Sequence, residues 1–408
     1  MIQRATAIPI LAACCGITSA NIYLLQPIAV LAAHHFHVAG SSAGFLASAM
    51  QITYAIGIAV FVPLVDLVRA RSLLLPLIGV STACLAAMAI AAATGSWPVF
   101  VVGGCVLGLF CPIPQIIIPA AVGIFDDAGS KLIGLLQSGL LAGILFSRFY
   151  SGLVASALSV AAVFAISCVL TAISGALAMV ALPSKRIPGG SRAALIPGVA
   201  LLAGLPRFLQ RPATLFTCLS GLLVGVSFGM FWNSLTFFST SWYGLTSSQI
   251  GLFGIVAGAS GAMSPIAGHL ADRFGLGRVQ IVVCCLIVVG WIPLLWGERS
   301  LVIAVLATIF IDVGVWSNQV LNQSAIFADT AIPRGLSNTL YFTLRFLGIS
   351  AGSAIGSTLF IDHHWPVVVV GAVILTLLGL VIFLWAARRG AAENDDSPRT
   401  EAVQTSGG

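Results

Sequence analysis

Charge is what this sequence has least of. Lys and Arg number 18 and Asp and Glu 12, together 7 % of 408 residues, where a soluble domain carries about 25 %. So few charges cannot coat a chain of this length in water, which excludes a soluble globule. Disorder is excluded with it, because hydrophobic residues make up 59 % of the chain and the mean hydropathy is +1.08. Other absences narrow the function. There is no Gly-rich phosphate loop, so ATP does not drive the protein directly. No cluster of His, Cys, Asp or Glu shares one depth of an apolar run, which argues against an intramembrane enzyme. The nine cysteines all fall inside apolar runs, where thiols behave as small hydrophobes, and none has disulfide or zinc spacing in a polar loop. The net charge of +6 lies in short loops and is no footprint for nucleic acid.

What is present is apolar runs about 20 residues long, the length that crosses a bilayer. Twelve can be read: 7–33, 40–65, 72–94, 97–123, 132–156, 159–182, 213–240, 247–271, 278–297, 300–327, 334–360 and 365–387. All are expected to be helices, since open strands would leave backbone groups unpaired in lipid. Pro98, Pro212, Pro333 and Pro366 sit at or near run starts, where proline suits the first helical turn. Thr246 and Gln249 have capping-box spacing before the eighth run. Leu11–Cys14 resembles a lipoprotein cleavage box, but the apolar run continues past it, as a first span would.

With a cytoplasmic N-terminus, fifteen of the Lys and Arg fall on the cytoplasmic side, Arg299 falls opposite, and Arg148 and Arg345 lie within spans. That bias predicts a multi-pass membrane protein with both termini cytoplasmic. The expected organisation is a six-helix bundle over 1–182, a basic cytoplasmic linker over 183–211, a second six-helix bundle over 212–388 and a disordered tail over 389–408. Parallel six-helix halves suggest a transporter rocking about a midplane site.

The halves echo each other. The second span ends on Asp66, Arg69 and Arg71, and the eighth ends Gly268-His-Leu-Ala-Asp272-Arg273-Phe-Gly275-Leu-Gly-Arg278. At these residues the chain resembles the major facilitator superfamily, whose loop motif is Gly-x-Leu-Ala-Asp-Arg-x-Gly. Within it the chain is similar to the drug:proton antiporter-1, or arabinose-efflux-like, branch. That likeness rests on Asn21-x-Tyr23-x-x-Gln26-Pro27, Pro114-Gln115-x-x-x-Pro119, Arg148-x-x-x-Gly152, Asp312-x-Gly314, Asn322-Gln323 and Arg334-x-x-x-Asn338. The chain lacks the Arg-x-x-Gln-Gly and Gly-Pro motifs of the best-known drug exporters. The resemblance implies an all-α fold of twelve transmembrane helices in two pseudo-symmetric bundles. It also implies that Asp66, Arg69, Arg71, Gly268, Asp272, Arg273, Gly275 and Arg278 govern conformation rather than bind substrate.

Three ionisable side chains lie well inside spans: Arg148, Asp312 and Arg345. Such a charge costs about 2.5–3.5 kcal/mol on insertion scales unless paired or hydrated, so each is a functional candidate. Asp312 is expected about 20 Å along span ten and Arg345 about 16 Å along span eleven from the other side, at matching depths. The two are predicted to face each other or share a water cavity, as a proton switch or as a static pair. Arg148 finds no acid at its depth in its own half; it either meets an anionic ligand or is satisfied by carbonyls near Pro27, Tyr23 and Gln26. Asp312, Trp316, Gln319 and Gln323 share one face of span ten, and Asn338, Tyr341 and Arg345 one face of span eleven. Pro112, Pro114 and Pro119 are expected to kink span four beside Gln115, and Pro27 span one. Gly221, Gly225 and Gly229, and Gly348, Gly352 and Gly356, have the spacing of close helix packing. His34, His35, His37, His363 and His364 fall in the outer loops, as an external pH gate or weak metal site, or as interfacial residues with no role.

The chain is thus read as a secondary transporter, not an enzyme. Its branch implies proton-driven export of a small amphipathic organic compound by alternating access; import of a carboxylated solute, or a membrane sensor or scaffold, are the alternatives. Asp312 is the proton-coupling candidate. Tyr23, Gln26, Gln115, Arg148, Trp232, Asn233, Trp316, Gln319, Asn322, Gln323, Tyr341 and Arg345 are the cavity candidates. Expected partners are a small-molecule substrate, protons and the bilayer, with no nucleic acid and no cofactor, and the chain is expected to act as a monomer.

Overall fold

The computed structural model describes residues 4–66, 68–124, 129–182, 206, 208–261, 264–329, 332, 334–361 and 364–395. Among them there is no strand. Fifteen α-helices follow in order: α1 Arg4–Ala20, α2 Ala29–Phe36, α3 Gly40–Phe61, α4 Ala70–Thr94, α5 Trp97–Phe110, α6 Ile113–Ile124, α7 Gly129–Ala157, α8 Val160–Ala181, α9 Pro212–Tyr243, α10 Ser247–Gly261, α11 Ser264–Phe274, α12 Leu276–Trp291, α13 Leu301–Ala328, α14 Arg334–Ile361 and α15 Trp365–Asp395. Nine described helical stretches are long and apolar enough to cross a membrane. Among the described residues, expected spans one, eight and eleven are not in that set. Span one divides into α1, a 3-10 turn at Gln26–Ile28 and α2, because Pro27 and the residues before it leave the α-helical ladder. Span four breaks at Cys111 and Pro112 between α5 and α6, as its prolines predict. Pro119 lies inside α6 without a break. Span eleven is the continuous α14, which carries Arg345 in its interior.

Local chemistry sets several helix ends. Pro98 and Pro212 occupy the first turns of α5 and α9. The capping box forms: Thr246 N–H donates to Gln249 Oε1 at 2.9 Å and Gln249 N–H to Thr246 Oγ1 at 3.4 Å. The last helix runs on to Asp395, so residues 389–395 are helical and not part of a disordered tail. Alanines at 391 and 392 and the preceding apolar helix favour continuation. Most of the expected linker, and residues 396–408, lie outside the described residues.

The helices make two bundles. In the first, α1 packs on α7 and α8, α4 on α5 and α8, and α3 on α5. In the second, α9 packs on α14 and α15, and α13 on α10, α11 and α12. Apolar side chains such as Leu75, Ile90, Val102, Val180, Val282, Val302 and Val381 stay exposed on the perimeter, the surface that lipid covers. Across the seam α3 packs on α14 and α7 on α10. Ser350 Oγ donates to the Ser48 carbonyl at 2.8 Å, and Ser353 Oγ to Gln51 Oε1 at 3.2 Å. A Cβ on Gly254 would stand 2.6 Å from the Leu145 carbonyl oxygen, and one on Gly251 2.8 Å from that of Arg148, so α7 and α10 cross backbone to backbone.

The glycine repeats of α9 and α14 interlock as the spacing predicts. Gly225 faces the Arg345 carbonyl, Gly356 the Met230 backbone and Gly352 the Val226 carbonyl. No side chain fits at Gly352 without parting the two helices. Gly352→Leu is expected to abolish monodisperse protein in detergent, read by size-exclusion chromatography; Gly79→Leu, which meets open space, is expected to leave the profile unchanged.

Candidate functional site

The seam holds the charges. Arg148 on α7 is 1 % exposed, and none of its three guanidinium nitrogens has a hydrogen-bond partner. Its guanidinium carbon lies 3.5 Å from the ring centroid of Trp232, on α9 of the other bundle, and 5.2 Å from that of Tyr23. Trp232 in turn donates its indole N–H to Asp312 Oδ1 on α13 at 3.0 Å. Asp312 is fully buried and its Oδ2 has no partner. One indole thus stands between Arg148 and Asp312. Stacking on Trp232 offsets about 2 kcal/mol or more for a desolvated cation, against a desolvation cost of several kcal/mol. Arg148 therefore stands ready for a hydrogen-bond acceptor.

The expected pairing of Asp312 with Arg345 does not form. Arg345 Nη2 donates to the Val315 carbonyl at 3.5 Å, and its Nη1 and Asp312 Oδ2 are both without partners. Depth explains it. Asp312 follows Leu301 by eleven residues, while Arg345 precedes Ile361 by sixteen. At the helical rise these are about 16 and 24 Å from the same face, more than one turn apart. Asp312 instead serves Arg148, for which the sequence offered no acid, because its partner comes from the other bundle.

Arg345 lines a cavity of about 20 Å³ between the bundles, with Tyr23, Tyr54, Gln115, Trp316, Gln319 and Phe346 on its wall. That is room for about one water molecule. Tyr54 and Phe346 meet across it with centroids 4.6 Å apart. Both escaped the sequence reading, since a lone ring in an apolar run carries no signal of its own. The other candidates sit elsewhere. Asn233 turns its amide to the Ser353 carbonyl at 2.8 Å and fastens α9 to α14. Gln323 donates to Asn338 at 3.1 Å. Gln26 accepts from Thr236 at 2.8 Å through its carbonyl, while its side-chain oxygen is unpaired. Tyr341 and Asn322 are buried between α13 and α14. A larger crevice of about 400 Å³ between α1, α7 and α8 is apolar. Its Asn21, Ser147 and Tyr150 are already bonded, so it offers no chemistry.

Of the conformational motif, Arg69, Asp272, Arg273 and Arg278 are exposed, and Arg71 and Gly268 are half-buried. The side chain of Asp66 lies outside the described residues. Gly275 has φ +90°, a backbone only glycine holds without strain, between α11 and α12. Among the outer histidines, His35 Nε2 lies 2.6 Å from the Ala92 carbonyl oxygen, His364 is exposed and His363 lies outside the described residues. Among the described residues no group of three His, Cys, Asp or Glu could hold a metal ion.

Residues 11–353 match the family model described as Major Facilitator Superfamily. The chain belongs to the Major Facilitator Superfamily. Its relatives in that superfamily are themselves transporters by description. It is 29 % identical over 383 residues to the uncharacterized transporter YgaY of Escherichia coli O157:H7, covering 93 % of this chain and 95 % of that one. It is 31 % identical over 362 residues to a probable transporter of Streptomyces coelicolor, covering 88 % and 82 %. Its fold is that of a bacterial homologue of the iron transporter ferroportin, with TM-score 0.69, 16 % identity and coverage of 94 % of this chain and 100 % of that one. It is also that of the human organic anion transporter MFSD10, with TM-score 0.65, 16 % identity and coverage of 96 % and 100 %. As a superfamily member the chain is a multi-pass membrane transporter of small molecules and not an enzyme.

Proposed function

We propose that this protein is a proton-coupled exporter of a small amphipathic zwitterion, working by alternating access in a bacterial inner membrane with both termini cytoplasmic. The observation that carries this is the Arg148–Trp232–Asp312 chain across the seam, with three unpartnered nitrogens at one end and one unpartnered oxygen at the other. A carboxylate fits Arg148 and an ammonium fits Asp312 Oδ2. The ammonium and a proton compete for that oxygen, so loading substrate releases the proton, which is exchange. The resemblance to the drug:proton antiporter-1 branch supports the same direction.

A second reading has its own support. For a substrate that is only an anion, the sign reverses. An anion on Arg148 screens it from Asp312 and favours the protonated acid, so anion and proton bind together. That is co-transport and import of a carboxylated solute. Asp66, Arg69, Arg71, Gly268, Asp272, Arg273, Gly275 and Arg278 remain the conformational motif in either reading, and the chain works as a monomer.

The test uses proteoliposomes holding a pH dye, challenged with matched zwitterionic, anionic and cationic amphiphiles. Exchange is expected for the zwitterion, with protons moving opposite to the substrate. Protons moving with an anion establish the import reading. No substrate-dependent proton movement with any member of a panel that is itself transported overturns proton coupling.

A further inference from the structure

A second cluster of unsatisfied polar groups lies inside the second bundle, away from the Arg148 chain. Asn318 and Asn322 on α13 and Tyr341 and Arg345 on α14 are 0, 0, 0 and 2 % exposed. Each keeps one atom without a partner: Asn318 Nδ2, Asn322 Oδ1, Tyr341 Oη and Arg345 Nη1. They are neighbours. Asn322 Nδ2 donates to Asn318 Oδ1 at 3.2 Å, Arg345 reaches the Val315 carbonyl on the same helix as that pair at 3.5 Å, and Tyr341 lies one turn before Arg345 on α14. Turning both amides over would still leave one free donor and one free acceptor in the Asn pair. Trp316, whose ring centroid is 6.0 Å from the Arg345 guanidinium, adds an indole N–H that is also unpartnered.

Buried polar groups are nearly always bonded, so this many open positions in one place calls for a missing partner. The charged member is a cation and the donors outnumber the acceptor, which fixes the sign of that partner. We propose that Arg345, Tyr341 and the Asn318–Asn322 pair form a seat for a small monovalent anion, either a halide or the carboxylate of an organic solute. The seat is reached from the cavity between the bundles, since Arg345 and Trp316 both line it. Arg148 has Asp312 to answer its charge, whereas Arg345 depends on the bound anion. The seat requires neither proton coupling nor a direction of transport.

The experiment measures binding alone, without a gradient. Full-length protein in detergent is melted at constant ionic strength in sulfate while bromide, or separately benzoate, is titrated in. A saturable rise in Tm is expected with at least one of them; saturation by bromide alone marks an inorganic ion and saturation by benzoate an organic carboxylate. The rise should vanish in Arg345→Gln. In Tyr341→Phe, which keeps the ring against Gly221, the half-saturating concentration should rise about tenfold or more, the loss of one bond to a charged group. No saturable rise in the wild type, a rise that survives Arg345→Gln, or an unchanged half-saturation in Tyr341→Phe overturns the seat. Tyr341→Phe decides the question if Arg345→Gln does not fold. Loss of proton coupling in liposomes with this binding intact would strike the proposed function and leave the seat standing.

Discussion

Asp312→Asn should leave the protein folded, weaken zwitterion binding and abolish substrate-driven proton movement. The amide oxygen of Asn can still accept the Trp232 indole N–H that Asp312 Oδ1 accepts at 3.0 Å. The fold therefore loses no hydrogen bond there. What disappears is the charge at the buried Oδ2, and with it both the proton taken up and released there and the contact for a substrate ammonium. Counterflow of labelled zwitterion between equal internal and external pools needs no proton and should continue, but with a half-saturating concentration raised about tenfold or more by the lost contact to a charged group. Uphill transport driven by a pH gradient should fall to the level of empty liposomes. The same variant also removes the charge that answers Arg148, so an anionic substrate should bind it more tightly, the opposite of what loss of a merely structural carboxylate would do. Proton movement that persists in Asp312→Asn would remove Asp312 from the coupling role and leave it as a tie to Trp232.

The fold was legible because bilayer solvation imposes few choices. Runs such as 72–94 and 365–387 could be nothing but spanning helices, and Pro27 and Pro112 announced the breaks in spans one and four. The glycine repeats named a contact that the structure places between α9 and α14. The site was legible only in part. Arg148, Asp312 and Arg345 stood out because a charge in lipid is costly, but which of them meet is a property of two bundles docking. Depth counted from run boundaries failed to resolve it: the start of α13 at Leu301 and the end of α14 at Ile361 separate Asp312 from Arg345 by more than a turn. Trp232 as the bridge between Arg148 and Asp312 needs the seam. Asn318 was missed for a different reason. It lies six residues after Asp312, off the face shared by Trp316 and Gln319, and pointed inward to a cluster that only packing against α14 reveals.

Arg148→Met combined with Asp312→Asn should raise thermal stability and abolish transport, a combination that a structural arginine could not give. Methionine is close to the aliphatic stem of arginine in reach and fills irregular space between Trp232 and Tyr23. The exchange removes a buried cation whose Nε, Nη1 and Nη2 make no hydrogen bond, and apolar replacements of buried ions are often stabilising by about 1–4 kcal/mol when the counter-charge is dealt with as well. Asp312 would then be left unanswered, so the clean measurement is the double variant Arg148→Met with Asp312→Asn, expected to melt above wild type. Transport by Arg148→Met alone should fall about 30-fold or more, since truncating one member of a buried charge contact costs about 2–5 kcal/mol. Arg148→Lys separates charge from shape. It keeps the cation but loses the flat guanidinium that lies 3.5 Å over the indole, so it should recover only a small part of the lost activity. If the double variant melts below wild type, Arg148 is a packing element of the seam. If it melts higher and is inert, the unpaired guanidinium is retained at the expense of stability because the substrate completes it.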